Sequence, residues 1–164
     1  MTAKKQHHSI EYRLLIKPTY DETIQKEGYL FLLETTKQFT SFAYHIDVKD
    51  EIEGKTLLWS LRGLRAPSMN MPSTGTAQFQ KVYFDLAKKI RFTLGKKDTR
   101  KISTEIKFLK NSIAVSDQQI DFLKIYTNEQ EFEEQRLNDT DVPEPKPDVH
   151  RKPVTSQPQT KKKK

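Results

Sequence analysis

Hydrophobic residues recur at every second position through most of the chain. In SFAYHIDVKD, residues 41–50, Phe42, Tyr44, Ile46 and Val48 fall on one side and Ser41, Ala43, His45 and Asp47 on the other, the alternation of a strand with one buried face. After EIEGK, the run TLLWSLRGL sets Leu57, Trp59 and Leu61 against Leu58, Ser60 and Arg62. The two runs predict an antiparallel hairpin with Gly54 in a positive-φ turn. A second hairpin is expected from AQFQKVYFDL, with Gln80, Val82, Phe84 and Leu86 on its inner face, followed across an Ala87–Lys88 turn by Ile90, Phe92 and Leu94. Residues 101–109 place Ile102, Thr104, Ile106 and Phe108 together, and SIAV makes a short further strand.

The two ends of the domain are less regular. SIEYRLLIK alternates Ile10, Tyr12, Leu14 and Ile16 and reads as the first strand. Between it and Phe39, Thr19 and Glu22 resemble a capping box, with Tyr20, Ile24, Phe31 and Leu32 near one helical face, so one helix is expected near residues 20–35. Gly28 opposes that helix, and Tyr29 to Thr36 forms a strand in the competing reading. Residues 117–137 are ambiguous, since Ile120 and Phe122 alternate like a strand while Phe122, Ile125, Tyr126, Phe132 and Leu137 also fit one side of a helix; a strand to about Tyr126 followed by a frayed polar helix is expected. The fold class that follows is mainly β (α+β if 20–35 is helical), an antiparallel β-sandwich or partly open barrel of about seven or eight short strands. Regular alternation of strands with helices is missing, which disfavours a parallel nucleotide-binding sheet.

Composition sets the domain limits. The chain has 164 residues, 34% of them hydrophobic, and this length suits one domain. All five glycines lie between Gly28 and Gly95, whereas five of the eight prolines follow residue 142. Residues 138–164 have too few apolar side chains to offset the entropy of ordering them and are expected to be a disordered Pro- and Lys-rich tail. The expected organisation is a flexible N-terminus over residues 1–8, a single β-rich domain over 9–126, a polar helix or extension over 127–137, and that tail. The longest apolar run, Tyr29 to Leu33, is far short of the roughly 18–20 residues that cross a bilayer as a helix, and no signal-peptide core is visible. The default expectation is a soluble cytoplasmic protein with no transmembrane segment; oligomeric state carries no sequence signal.

The chain contains no cysteine, which excludes disulfides, thiolate-held metals and thiol catalysis. Of the four histidines, His7 and His8 are adjacent in a polar end and His150 lies in the tail; His45, with Asp47 two residues on, suggests an imidazole oriented by a carboxylate. A solvent-facing polar strand face explains the same pair more simply. The acidic group Asp47, Asp50, Glu51 and Glu53 lacks the spacing of a calcium loop and reads as a polar hairpin tip. None of the short catalytic or phosphate-binding motifs is present, so no cofactor, metal site or catalytic residue is expected.

Charge gives the clearest pointer. The net charge is +7, and all of it maps to residues 86–110, where Lys88, Lys89, Arg91, Lys96, Lys97, Arg100, Lys101, Lys107 and Lys110 face only Asp98 and Glu105. Such a focus attracts phosphates or an acidic protein, although lysines on exposed strands also guard against edge pairing. The remaining candidate is the connection over residues 62–76, with Arg62, Arg65, Met69, Asn70 and Met71 between prolines, long enough to serve as a partner loop. The expected function is a non-enzymatic binding or structural module that engages a protein partner through residues 62–76. The alternatives are a nucleic-acid- or ribosome-associated accessory protein using the basic 88–110 face and the Lys-rich tail, and an enzyme whose site is assembled only in three dimensions.

Overall fold

A computed structural model describes residues 9–68, 73–97 and 100–140. The fold is mainly β: a curled open sheet of ten strands, a half-barrel, with one short helix on its outer face. In chain order the strands are β1 (Tyr12–Asp21), β2 (Lys26–Phe39), β3 (His45–Glu53), β4 (Thr56–Arg65), β5 (Gly75–Tyr83), β6 (Lys89–Lys96), β7 (Arg100–Phe108), β8 (Ile113–Val115), β9 (Gln119–Ile120) and β10 (Leu123–Tyr126), followed by α1 (Glu129–Thr140). Across the sheet they lie in the order β8-β7-β6-β4-β3-β5-β2-β1-β10-β9.

The period-two pattern places most of the core. Leu57, Trp59 and Leu61 of β4, Ile90, Phe92 and Leu94 of β6, and Ile102, Ile106 and Phe108 of β7 are all buried. Trp59 is the hub, its ring 5.9 Å from Phe31, 5.4 Å from Phe92 and 4.9 Å from Phe79, in the edge-on arrangements that the quadrupoles of aromatic rings favour. Its indole N–H donates to the Tyr83 hydroxyl at 2.7 Å. That hydroxyl donates to Asp50 at 3.2 Å, and Lys81 donates to the same carboxylate oxygen at 2.5 Å. Asp50 is therefore tied into the rim of the core, in contrast to the free polar tip its sequence neighbours suggest.

Three expectations are corrected. Residues 20–35 form the β1–β2 hairpin, not a helix: Asp21 accepts the N–H groups of Thr23 and Ile24, Gln25 takes a φ of 51°, and the chain reverses. Gly28 is required there as a strand residue, since an added Cβ would come within 2.8 Å of both the Tyr83 carbonyl oxygen and the Phe84 ring. Secondly, β5 and β6 do not pair. The β3–β4 hairpin is inserted between them, so β4 runs parallel to β6 and β3 meets β5 in parallel; the sheet is mixed, with β1 and β10 as its third parallel pair. The inner face of β5 is consequently the odd one, with Ala77 and Tyr83 buried and Phe79 packed on the core. Gly54, with φ of 59°, makes the β3–β4 turn as expected.

Thirdly, the polar helix expected over residues 127–137 is present but runs from Glu129 past residue 137. Asn128 caps it by accepting the N–H of Gln130 at 2.9 Å, with Glu129 and Glu131 in the first turn, where the helix dipole favours them. It continues to Thr140, three residues into the stretch expected to be disordered; residues 141–164 lie outside the described residues. Phe132 is fully buried against Leu15, Tyr126 and Leu32. The helix thus covers the outer face of β1, β2 and β10, and β1 is buried on both sides.

The curl draws the ends of the sheet together. Residues 116–118 join edge strand β8 to edge strand β9, with Ser116 N–H donating to the Glu105 carbonyl. Inside the curl, Tyr29 of β2 stacks on Phe108 of β7 at 4.1 Å. Gly28→Ala is expected to cost about 1–3 kcal/mol, the usual range for overpacking, read as a lower urea midpoint at unchanged slope. A midpoint equal to that of the parent chain would mean that β2 and β5 separate freely at this point.

Candidate functional site

Strand register lines up six polar side chains in one row across the outer face. Lys124 of β10 lies opposite Arg13 of β1, Arg13 opposite Glu34 of β2, Glu34 opposite Gln78 of β5, Gln78 opposite His45 of β3, and His45 opposite Arg65 of β4. Residues in register share a face of the sheet, so the row is built by pairing alone. Its centre lies under α1 and its far end, at His45 and Arg65, is exposed.

The buried centre is unusual in its charge. Arg13 is 1% exposed and Glu34 is fully buried. Arg13 Nη2 lies 2.9 Å from Glu34 Oε1, but neither atom has a partner along a hydrogen-bonding direction; the contact is Coulombic. Glu34 Oε2 accepts from Thr76 at 3.1 Å and from Gln78 at 3.2 Å, and Arg136 of α1 approaches it at 3.6 Å. Arg13 Nη1 donates to Asp139 in the last turn of α1 at 2.5 Å. Two arginines and two carboxylates from three elements thus meet here, Arg13 and Glu34 desolvated and Arg136 and Asp139 partly exposed, and each charge has an opposite neighbour, as burial demands.

A recess flanks the row on each side. Between α1, β1 and β10 a cavity of about 420 Å³ is lined by Arg13, Lys124, Tyr126, Gln119, Gln135 and Asp139, with Ile10 and Thr36. At the other end, around the pairing of His45 with Gln78, a cleft of about 450 Å³ is lined by Tyr44, His45, Arg65, Gln78, Phe79 and Gln80, among others. His45 is exposed and Asp47 is half-buried; the charged neighbour of Asp47 is Arg65, 3.8 Å away.

The basic strands are partly neutralised. Lys96 and Arg100 both reach Glu11, and Arg100 also holds Asp121 at 2.5 Å while stacking 4.9 Å above the Phe122 ring. Its hydrogen bond to Asp121 raises the pKa of the guanidinium further. These ion pairs draw β6 and β7 toward β1 and β9. Lys89 and Lys107 flank Glu105 at 2.7 Å and 3.5 Å, and the hydrogen bond from Lys89 holds that carboxyl below its usual range. Lys88, Arg91, Lys97, Lys101 and Lys110 are exposed, but Lys97 stands at one end of the strands and Lys88 and Lys110 at the other. In the 62–76 connection, Arg62 and Arg65 belong to β4 and are exposed, whereas Met69, Asn70 and Met71 lie outside the described residues.

Among the described residues no group of three or more His, Asp or Glu is placed to hold a metal ion, and no helix is long and apolar enough to cross a membrane. Comparison with protein families, curated proteins and solved structures finds no match to this chain.

The row was missed at the sequence level because Arg13 and Glu34 occupy the positions of an outward-facing strand side. One signal was available: LLI at residues 14–16 and FLL at residues 31–33 break strict alternation and demand cover on both faces. Replacing Glu34 by Gln alone is expected to cost about 3–5 kcal/mol by stranding Arg13, and the double change Arg13→Met with Glu34→Leu much less; guanidinium unfolding of the three chains measures both. A second expectation concerns pH. Burial, the largest cause, raises the Tyr83 pKa above its ordinary 10.0, so its contribution is complete below that value and is lost as pH rises toward the higher folded value. Stability measured between about pH 9 and pH 12 should fall less steeply in Tyr83→Phe than in the parent chain.

Proposed function

We propose that the chain is a non-enzymatic binding module that takes an extended, acidic segment of a partner protein into the cleft between β3 and β5, at the base of the 62–76 connection. The observation that carries this reading is the early parting of the two strands. They meet in register only at His45 and Gln78, where the Gln78 N–H donates to the Tyr44 carbonyl. The same backbone direction returns every second residue, so the main-chain groups of Gln80 and Val82 point toward β3 beyond the last paired position. Unpaired strand edges are what an added strand needs, with main-chain bonds giving affinity and side-chain pockets giving selectivity.

The lining supports the chemistry of the guest. Tyr44 and Phe79, partly buried against the core, border the cleft with apolar edges, and Gln78 and Gln80 offer amides. Arg65 is 71% exposed, with Asp47 at a loose 3.8 Å, so its charge is available to a carboxylate; Arg62 stands exposed on the same strand. The fully buried Trp59, Phe31 and Phe92 fill the inside of the curl, which directs recognition to the outer surface.

Fluorescent peptides of alternating Glu and Val, read by anisotropy, test the proposal. Binding should weaken by about tenfold or more when Arg65→Glu and His45→Ala are combined, and stay unchanged when Lys97 and Lys101 are neutralised. Affinity that ignores the first pair of changes overturns the cleft assignment. Binding of RNA that disappears on neutralising Lys97 and Lys101, with no peptide binding, would transfer the function to the basic strands.

A further inference from the structure

We infer that the cavity between α1, β1 and β10 is a binding site for a small organic carboxylate. Its volume, about 420 Å³, falls in the lower part of the range of small-molecule sites, about 300–1,000 Å³. Two buried groups in its lining lack a hydrogen-bond partner: Arg13 Nε and the Tyr126 hydroxyl. A buried donor without an acceptor is unfavourable, so two in one cavity mark a site built for acceptor atoms. Lys124 lines the same cavity and lies 5.0 Å over the Tyr126 ring. No carboxylate pairs with it among the described residues. The lining therefore offers two cations and two unused donors against one carboxylate, Asp139.

Asp139 explains why the ligand is a carboxylate. Its own carboxylate already occupies Nη1 of Arg13, at 2.5 Å, and its other oxygen accepts from Gln135 at 3.2 Å. It stands in the last turn of α1, which has no basic residue, and there the helix dipole opposes a negative charge. Asp139 is held in place by Arg13 against that field and is 35% exposed. It thus acts as a built-in competitor at Nη1, while Nε is left without a partner. A ligand carboxylate that accepts from Nε and from the Tyr126 hydroxyl, with Lys124 balancing its charge, satisfies both stranded donors without disturbing the Arg13–Glu34 pair. A ligand with a second carboxylate displaces Asp139 as well.

Titration of the full chain with succinate, citrate and inorganic phosphate, followed by isothermal calorimetry and by the NMR shifts of the Arg13 side chain, tests the site. Arg13 itself is left intact because removing it alone would leave Glu34 buried without its nearest counter-charge. Succinate or citrate is expected to bind and to shift the Arg13 Nε resonance. Tyr126→Phe and Lys124→Gln, which keep the packing, should each weaken binding by about fivefold to tenfold. Asp139→Asn should strengthen it by a similar factor. Absence of binding by both carboxylates, affinity indifferent to Tyr126→Phe and Lys124→Gln, or phosphate binding more tightly than either carboxylate would overturn the inference. The β3–β5 cleft does not enter this outcome, so a failure here leaves the peptide-binding proposal standing.

Discussion

The buried pairing of Arg13 with Glu34 is the constraint around which the outer face is organised. Two charges in low dielectric are tolerated only when every approach to them is controlled. Here β5 supplies Thr76 and Gln78, and α1 supplies Arg136 and Asp139. The helix offers just Phe132 as a fully buried apolar anchor, while its Leu137 is 67% exposed. Its seat is therefore set by charge geometry as much as by hydrophobic burial, and Lys17 adds a peripheral pair with Glu129. Apolar surfaces tolerate sliding; an arginine shared between two carboxylates does not.

Much of the fold is visible in the alternation of side chains. The inner faces of β3, β4, β6 and β7 follow from counting every second residue, as does the short β8, and Gly54 marks its turn. Pairing partners are another matter. Alternation states which face of a strand is buried but not which strand lies beside it, and nearness in sequence suggested a β5–β6 hairpin that the inserted β3–β4 hairpin prevents. The error at residues 20–35 has a different origin. Tyr20, Ile24, Phe31 and Leu32 match a helical spacing by coincidence, and the turn that decides the issue rests on Asp21 and on Gln25 at positive φ, neither a strong signal in isolation.

The site was less visible for the same reason. Lys124, Arg13, Glu34, Gln78, His45 and Arg65 are scattered over more than a hundred positions in sequence and become a row only through register. Local charge counting found the basic strands instead, and the structure places several of their cations in ion pairs. Lys96 and Arg100, at the ends of β6 and β7 that flank the turn, hold Glu11 and Asp121. A run of like charge in sequence became a clasp in space because its counter-ions came from outside the run, Glu11 from just before β1 and Asp121 from between β9 and β10.

The parallel union of β1 with β10 has a consequence for how the molecule is made. Tyr12 meets Leu123 and Leu15 meets Tyr126, so one edge of β1 waits for nearly the whole described chain to be synthesised. Chains leave the ribosome at about 5–20 residues per second, and until β10 and α1 arrive, Leu15, Leu32 and Arg13 face water. During those seconds the nascent β1–β2 hairpin carries an exposed apolar strip beside an unmatched edge, the surface on which aggregation of incomplete chains begins.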